Sequence, residues 1–244
     1  MRAFITIEYN GKNYLGWQKN GEQKSLCYEV EKAFLQLFGC EVKIVASGRT
    51  DAGVHAIKQC AHFDLPHNEI PLKRVLSGLN KILPSDIRIT SIKEVSNKFH
   101  ARYNVKSKTY LYKCYTSPIS SPLRDGFFYH YPAVLNLENM KNCANLFIGE
   151  HNFKAFCLSG SDAEDFVRRV ISIDIIRKKE ELYFYVKGKG FLYSMVRLIV
   201  GTLLEVGSGR LTVEQVKSAI ENGDKRFVGQ KAEPQGLYLY DVEY

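Results

Sequence analysis

Periodicity along this chain predicts an α+β protein built from two ferredoxin-like halves, residues 1–104 and 105–244, each with the order strand, helix, strand, strand, helix, strand. Three observations carry the prediction. Short alternating segments rich in β-branched and aromatic residues recur; apolar stripes at helical spacing separate them; and the order of elements in the first half returns in the second. Two four-stranded halves set edge to edge would make one eight-stranded, mainly antiparallel sheet with helices on one face. The other face, or the seam, is then free for a ligand.

Arg2 to Tyr9 alternates, with Ala3, Ile5, Ile7 and Tyr9 on one side, as a half-buried strand does. From Ser25, the residues Leu26, Val30, Ala33, Phe34, Leu37 and Phe38 recur at helical spacing, and Gly39 suits the left-handed residue that ends a helix. Strands are predicted over Val42 to Ala46 and around Lys58 to Leu65. A second helix opens at Pro71, where a missing N–H does no harm, carries Leu72, Val75, Leu76, Leu79 and Ile82 on one stripe, and ends before Pro84. Asp86 to Val95 reads as the fourth strand.

In the second half, Lys108 to Tyr115 reads as a strand, Leu137 to Phe147 as a helix, and Val167 to Arg177 with Leu182 to Val186 as a hairpin. Gly190 to Val206 is strongly helical in pattern, Thr212 with Gln215 makes a capping box for a short extra helix, and Gly236 to Tyr244 alternates as a last strand.

The 244 residues are 45% hydrophobic and 25% charged, enough to bury a core. Lys, Arg, Asp or Glu interrupts every long apolar stretch, so neither a signal peptide nor a membrane span is expected and the cytoplasm is the default compartment. Six scattered cysteines without a CxxC pair argue against a zinc ribbon and, in a cytosolic chain, against disulfides; they read as buried thiols. His55, His62 and His100 lack ligand spacing and read as hydrogen-bonded structural histidines, so no metal is expected. A net charge of +8 favours polyanionic partners, and fifteen Tyr with fourteen Phe offer stacking surfaces for unpaired bases, although most aromatics in any chain are core.

The densest chemical signal is Ser47-Gly48-Arg49-Thr50-Asp51-Ala52-Gly53-Val54-His55-Ala56, between two predicted strands. Gly48 and Gly53 permit positive φ and close approach of backbone to a ligand, Arg49 offers a planar cation for phosphate or base, and Asp51 is the only acid of the segment. On these residues alone, an acid near glycine in a loop between strands is usually ordinary turn chemistry.

The segment is nearly identical to the defining stretch of the TruA family of pseudouridine synthases, and it does not stand alone. Tyr9-Asn10-Gly11 with Tyr14-Leu15-Gly16-Trp17-Gln18 resembles the family's opening, and Leu79 to Ile87 its second-helix exit. Phe99 to Tyr103 with Lys108-Thr109-Tyr110-Leu111-Tyr112, then Phe147 to Phe153 and Gly190 to Arg197, follow in the family's order. The chain departs from the family at Lys24-Ser25-Leu26-Cys27, where the first helix begins, and at Ala232-Glu233-Pro234-Gln235 before Gly236-Leu237. These changes lie outside the catalytic loop and bear on the pocket rim and on target choice.

The resemblance implies isomerisation of uridine in the anticodon arm of tRNA, bound in a cleft on the face without helices, by a homodimer that needs no metal or organic cofactor. It implies that Asp51 is the catalytic carboxylate, acting either as a nucleophile at the anomeric carbon or as a base at the neighbouring ribose carbon. Tyr110 would pack against the target base and assist removal of its carbon 5 proton; Arg197 would pair with the carboxylate; Arg49 would replace the extruded uridine or hold its phosphate. Read without the family, Tyr110 is a strand aromatic facing the core and Arg49 a loop salt bridge. Arg197, on a stripe with Tyr193 and Gly201 and off the apolar face of Met195, Val196, Ile199, Val200 and Leu203, is then a solvated surface arginine. Lys187, Lys189 and Arg197 interleave with Tyr183, Tyr185 and Tyr193 as a phosphate-contacting wall or, equally, a solvated strand end.

Two other classes compete with this reading. A non-catalytic RNA-binding or folding factor fits the scaffold, but its third strands, Lys58 to Leu65 and Leu182 to Lys187, lack the glycine-aromatic pattern of RNA-recognition modules. A sugar hydrolase would need a second acid beside Asp51, and the loop has none. Another RNA as substrate is the nearer alternative within the same chemistry.

Overall fold

The structure is a computed structural model and describes residues 1–18, 24–66, 70–160 and 163–244. In chain order the described strands and α-helices of the first half are β1 (Arg2–Tyr9), α1 (Leu26–Phe38), β2 (Val45–Ala46), β3 (His55–Asp64), α2 (Leu72–Ile82) and β4 (Ile87–Val95). Those that follow are β5 (Ser107–Tyr115), β6 (Tyr129–His130), α3 (Leu137–Leu146), β7 (Gly149–Asn152), β8 (Val167–Lys178), β9 (Glu181–Gly188), α4 (Met195–Gly207), α5 (Val213–Asn222) and β10 (Leu237–Glu243). The mixed, mainly antiparallel α+β class is as expected. The chain divides into two compact units, Met1–Lys106 with Tyr238–Tyr244, and Ser107–Leu237.

In the first unit the strand order is β4-β1-β3-β10, with β2 on β3. Pairs β1–β4 and β1–β3 are antiparallel; β3 and β10 are parallel through Tyr238 opposite His55 and Leu239 opposite Ala56. Helix α1 starts where Ser25 accepts the Tyr28 N–H and stops at Gly39, whose φ of 71° is left-handed. Its Phe34 meets Phe63 of β3 edge-on at 4.6 Å, and Phe63 lies opposite Ala3, so Ala3, Ile5 and Ile7 face the helices. Strand β1 is buried on both faces, not one. Phe4, on the reverse side, is covered by Phe99 and Tyr244 at 5.4 and 5.3 Å, and Thr6 is bonded to Thr90 and Ser91.

Local pattern misplaces two edges here. Val42 and Ile44 are buried alternately, as expected of a strand, but only Val45 and Ala46 find backbone partners, His62 and Ala61. Strand β3 begins at His55, ahead of the expected Lys58, because its first residues pair with β10, far away in sequence.

The second unit orders its strands β5-β9-β8-β7, with β6 parallel to β5. Strand β9 alternates fully: Leu182, Phe184, Val186 and Gly188 are buried, while Glu181, Tyr183, Tyr185 and Lys187 share the half-exposed face. Helices α3 and α4 pack together, and Thr212 with Gln215 forms the expected capping box on α5. Phe147, Phe153 and Phe156 form a fully buried aromatic cluster, so the two phenylalanines of that family-like stretch are core, while Ile148, Glu150 and Asn152 between them are exposed. The helix expected from Gly190 starts only at Met195. Ser194 sits at φ 58°, a left-handed residue no helix can run through, and the chain before it turns to place Phe191 against the sheet. Strands β6 and β7 and the 3-10 turns at Lys154–Phe156, Lys225–Phe227 and Pro234–Gly236 were not anticipated.

Four thiols, Cys60, Cys114, Cys143 and Cys157, are buried as expected, whereas Cys27 and Cys40 are half-buried. Burial pushes Cys60 up to about 11 and Cys114 and Cys143 up to about 12, which holds them protonated at neutral pH. No helix among the described residues is long and apolar enough to cross a membrane.

Two glycines should separate steric from conformational cost. A Cβ at Gly201 of α4 would sit 1.7 Å from the Gln230 carbonyl oxygen, so Gly201→Ala must displace backbone and should cost about 3 kcal/mol or more, the upper end for overpacking. At Gly39 nothing lies within 4 Å, and Gly39→Ala should cost only the left-handed penalty of about 1–2 kcal/mol. Denaturant unfolding of both variants checks the order, and a reversed order would refute it.

Candidate active site

The Asp51 loop, between β2 and β3, is pinned from within its own unit. Ser47 donates to Gln59 Oε1 at 2.7 Å, and Gln59 Nε2 returns a bond to the Gly48 carbonyl at 3.0 Å. Tyr9 Oη meets Thr50 Oγ1 at 2.8 Å in a buried hydroxyl pair, and burial pushes the Tyr9 phenol up, so it stays neutral. Segment 10–18 then closes over the loop through main chain. Trp17 N donates to Thr50 O at 3.1 Å, and Gly53 N donates to Tyr14 O at 3.2 Å.

These bonds require close approach of two backbones. A Cβ at Gly11 would stand 1.9 Å from Val54 O, and one at Gly16, whose φ is 90°, would stand 2.5 Å from Thr50 O. Only glycine fits either place. The covering segment is itself held: Gly11 N donates to His55 Nδ1 at 3.1 Å, and Tyr14 Oη donates to Asp86 at 2.6 Å, with Lys24 over the Tyr14 ring. Burial, and then the Asp86 carboxylate, push the Tyr14 phenol well up, which keeps that donor protonated. Three of the family-like stretches, at Tyr9–Gln18, Ser47–Ala56 and Leu79–Ile87, therefore meet around one loop.

The result is a sorted loop. Ser47, Thr50 and Val54 are buried as anchors, Arg49 and Ala52 are exposed, and Asp51 is half-buried. Such an arrangement can hold a carboxylate at a fixed place with a cation two residues away. Gln59, Tyr9, Gly11, Gly16 and Asp86 support the loop and were not picked out as site residues. Gly11 and Gly16 carried a signal, two glycines in a short motif, whereas Gln59 inside a strand carried none.

Tyr110 and Arg197 belong to the second unit. Tyr110 of β5 lies opposite Val186 of β9 and meets Phe191 edge-on at 5.2 Å. It is half-buried, neither a core ring nor a free one. Gly188 makes room for this contact, since a Cβ there would meet the Phe191 ring at 2.9 Å.

Arg197 corrects the expectation of an arginine facing solvent. It is only 6% exposed, because α4 is buried on nearly every side, and its Nε donates to Ala232 O at 2.7 Å. Of the stripe through Tyr193, Arg197 and Gly201, Tyr193 stays exposed, whereas Arg197 and Gly201 are covered by segment 229–236. That segment is tied to α4 by Ala232 N to Arg197 O, Gly229 N to Thr202 Oγ1 and Gln230 N to Glu205 Oε1, at 3.1, 2.9 and 2.8 Å. Tyr112 of β5 donates to Glu233 O at 2.7 Å, and Gly236 lies against its ring. A cavity of about 220 Å³ beside the segment is lined by Tyr129, Tyr131, Glu205 and Arg210 among others.

The proposed basic wall is only partly assembled. Lys187 shares its half-exposed face with Tyr183 and Tyr185, and Lys189 and Tyr193 are exposed, but Arg197 is buried elsewhere and takes no part. Each of the three histidines has a structural bond: His55 Nδ1 to Gly11 N, His62 Nδ1 to Ala101 N, and His100 Nδ1 to the N–H groups of Arg102 and Tyr103.

Comparison with known proteins gives one answer. The tRNA pseudouridine synthase family profile matches residues 5–104 and 143–244, which include Arg49, Asp51 and Arg197 and leave Tyr110 between the two stretches. A tRNA pseudouridine synthase A of Caldicellulosiruptor saccharolyticus is 40% identical over 240 residues, covering 98% of each chain. The enzyme of that name from Acetivibrio thermocellus is 41% identical, again with 98% of each chain covered, and that of Bacillus pumilus is 38% identical over 100% of this chain and 99% of its own. The pinned Asp51 loop thus sits in a chain that matches these enzymes almost end to end, and the protein belongs to the tRNA pseudouridine synthase family.

Proposed function

We propose that this protein isomerises uridine to pseudouridine in the anticodon arm of tRNA, with Asp51 as its catalytic carboxylate and Tyr110, Arg49 and Arg197 as substrate-binding residues. The observation that carries the reading is the Asp51 loop: its neighbours are locked by buried hydrogen bonds while its single acid stays half-buried and held in place. The reaction needs one such carboxylate. The bond between ribose carbon 1′ and uracil N1 breaks, the base turns, carbon 5 bonds to carbon 1′, and the carbon 5 proton is lost as N1 gains one. Nothing is oxidised or reduced, so no redox partner is required. An ionised carboxylate serves either by attacking carbon 1′ or by taking a proton from the neighbouring ribose carbon.

A net charge of +8 supports binding of a polyanion. The family resemblance supports action as a homodimer in the cytoplasm, without metal or organic cofactor. Sedimentation of the purified protein, and its activity without added metal, bear directly on these finer points.

Asp51→Asn keeps the shape of the side chain and loses its charge. The variant should stay folded and bind tRNA within a few fold, while single-turnover pseudouridine formation falls by more than about 10³, the scale of losing a positioned base or nucleophile. Turnover within tenfold of the parent would remove Asp51 from the reaction.

Arg49→Ala and Arg197→Ala should behave differently. A uridine inside a stem must be unstacked at a cost of a few kcal/mol, about 2–4, so loss of the exposed Arg49 should slow a paired uridine more than one in a flexible loop. Loss of Arg197 should slow both alike. Rates for each variant on two such substrates measure this, and equal losses throughout would show that Arg49 has no part in extruding the base.

A further inference from the structure

Segment 96–106 of the first unit holds none of the residues assigned to catalysis, yet it is fastened at many points. Arg2 donates to the carbonyls of Asn97 and Phe99, both at 2.9 Å, while pairing with Asp64. Phe99 packs edge-on to Phe4, Ala101 O accepts from Tyr244 at 2.8 Å, and Lys106 N donates to Glu243 O at 2.8 Å. At its centre His100 organises a tight turn. Its N–H donates to Asn104 Oδ1 at 2.6 Å, and its Nδ1 accepts from both Arg102 N and Tyr103 N.

This turn presents Tyr103. The phenol ring is stacked on the His100 imidazole, with centroids 4.2 Å apart and planes 26° from parallel, yet the residue is 76% exposed. One ring face is backed by imidazole and the other opens to solvent. Lys98, Arg102 and Lys106 are all exposed in the same segment, and no acid occurs between Glu94 and Asp125.

A flat ring, already immobilised from behind and set among cations, is what an unpaired base needs: a stacking surface with little left to order, and nearby charge for its phosphate. We propose that Tyr103 is a stacking platform for an unpaired nucleotide of the RNA substrate, separate from the target uridine. Strand β1 supplies the separation. It runs from Arg2, which holds this segment, to Tyr9, which holds the Asp51 loop, and seven steps of about 3.3 Å put the two roughly 23 Å apart. That is the span of about seven stacked nucleotides at 3.4 Å each. The platform would then read the presence of single-stranded RNA at a set distance from the modified base.

The proposal rests on the reading that the protein binds tRNA, and the test separates the two. Filter-binding titrations of the full-length protein with a tRNA transcript should show Tyr103→Ala weakening Kd by about 5- to 50-fold, the scale of losing one base stack, with Tyr103→Phe within about twofold of the parent. The salt dependence should keep its slope in Tyr103→Ala and become shallower by about 0.7–0.9 in Arg102→Ala, because a ring contact releases no counterions and a phosphate contact does. An unchanged melting temperature of Tyr103→Ala shows that the fold is intact. Binding by Tyr103→Ala within twofold of a parent that does modify tRNA would overturn the platform alone. Equal losses in Tyr103→Ala and Tyr103→Phe would also overturn it, since the hydroxyl and not the ring would then be used. A smaller sedimenting species for Tyr103→Ala would overturn it in favour of a contact between copies of the chain. A parent that neither binds nor modifies tRNA would overturn both readings.

Discussion

The close approach of two backbones at Gly11 and Gly16 is the constraint on which the rest of the site depends. Segment 10–18 can bond to Thr50 and Gly53 only because neither glycine has a side chain, and without those bonds the Asp51 loop would be tethered on one side alone. Each such bond contributes on the order of 1 kcal/mol net. Their larger effect is geometric, because a carboxylate must be held within about half an ångström of its working position for chemistry to profit from it. The other supports follow from this one: Asp86 holds Tyr14, His55 holds Gly11, and the stack of His55 on Tyr238 keeps that histidine flat.

The same device recurs in the second unit, where Arg197 is held by the carbonyl of Ala232 and Tyr112 by the carbonyl of Glu233. Both places where the chain departs from its family lie on such segments. Leu26 and Cys27 donate main-chain N–H groups to Gly16 and Trp17, and residues 232 and 233 offer main-chain oxygens. A contact made by a peptide group is indifferent to the side chain beside it. The departures at Lys24–Cys27 and Glu233–Gln235 therefore leave these main-chain bonds in place, whereas the Lys24 contact with the Tyr14 ring and the Ser25 cap of α1 are made by side chains.

The sequence was informative wherever structure is local. Ser25 and Gly39 bound α1, Thr212 and Gln215 cap α5, and the alternation of β9 is the alternation of its burial. It misled wherever burial comes from a distant partner. The half-buried pattern of β1 leaves out that Phe99, Tyr244 and Thr90 cover Phe4 and Thr6 on its reverse side, and helical spacing alone turns Arg197 to solvent although segment 229–236, remote in the chain, lies across it. Helix α4 started late for a third reason. A left-handed serine is invisible to hydrophobic periodicity, and Phe191 belongs to Tyr110 instead of the helix. Within the site, the loop was plain in sequence, but Gln59 was not, since a buried glutamine in a strand looks like any other strand residue.

The parallel pairing of β3 with β10 sets the order in which this protein can mature on the ribosome. The first unit is discontinuous: all of Ser107–Leu237 is threaded between its main part and its last strand. His55, which carries Gly11, therefore waits for Tyr238 until the second unit has been translated. A second unit that folds as soon as it emerges shortens the loop to be closed and lowers its entropic cost, which grows with the logarithm of loop length. A nascent chain thus completes the support of the Asp51 loop only after the second unit has emerged.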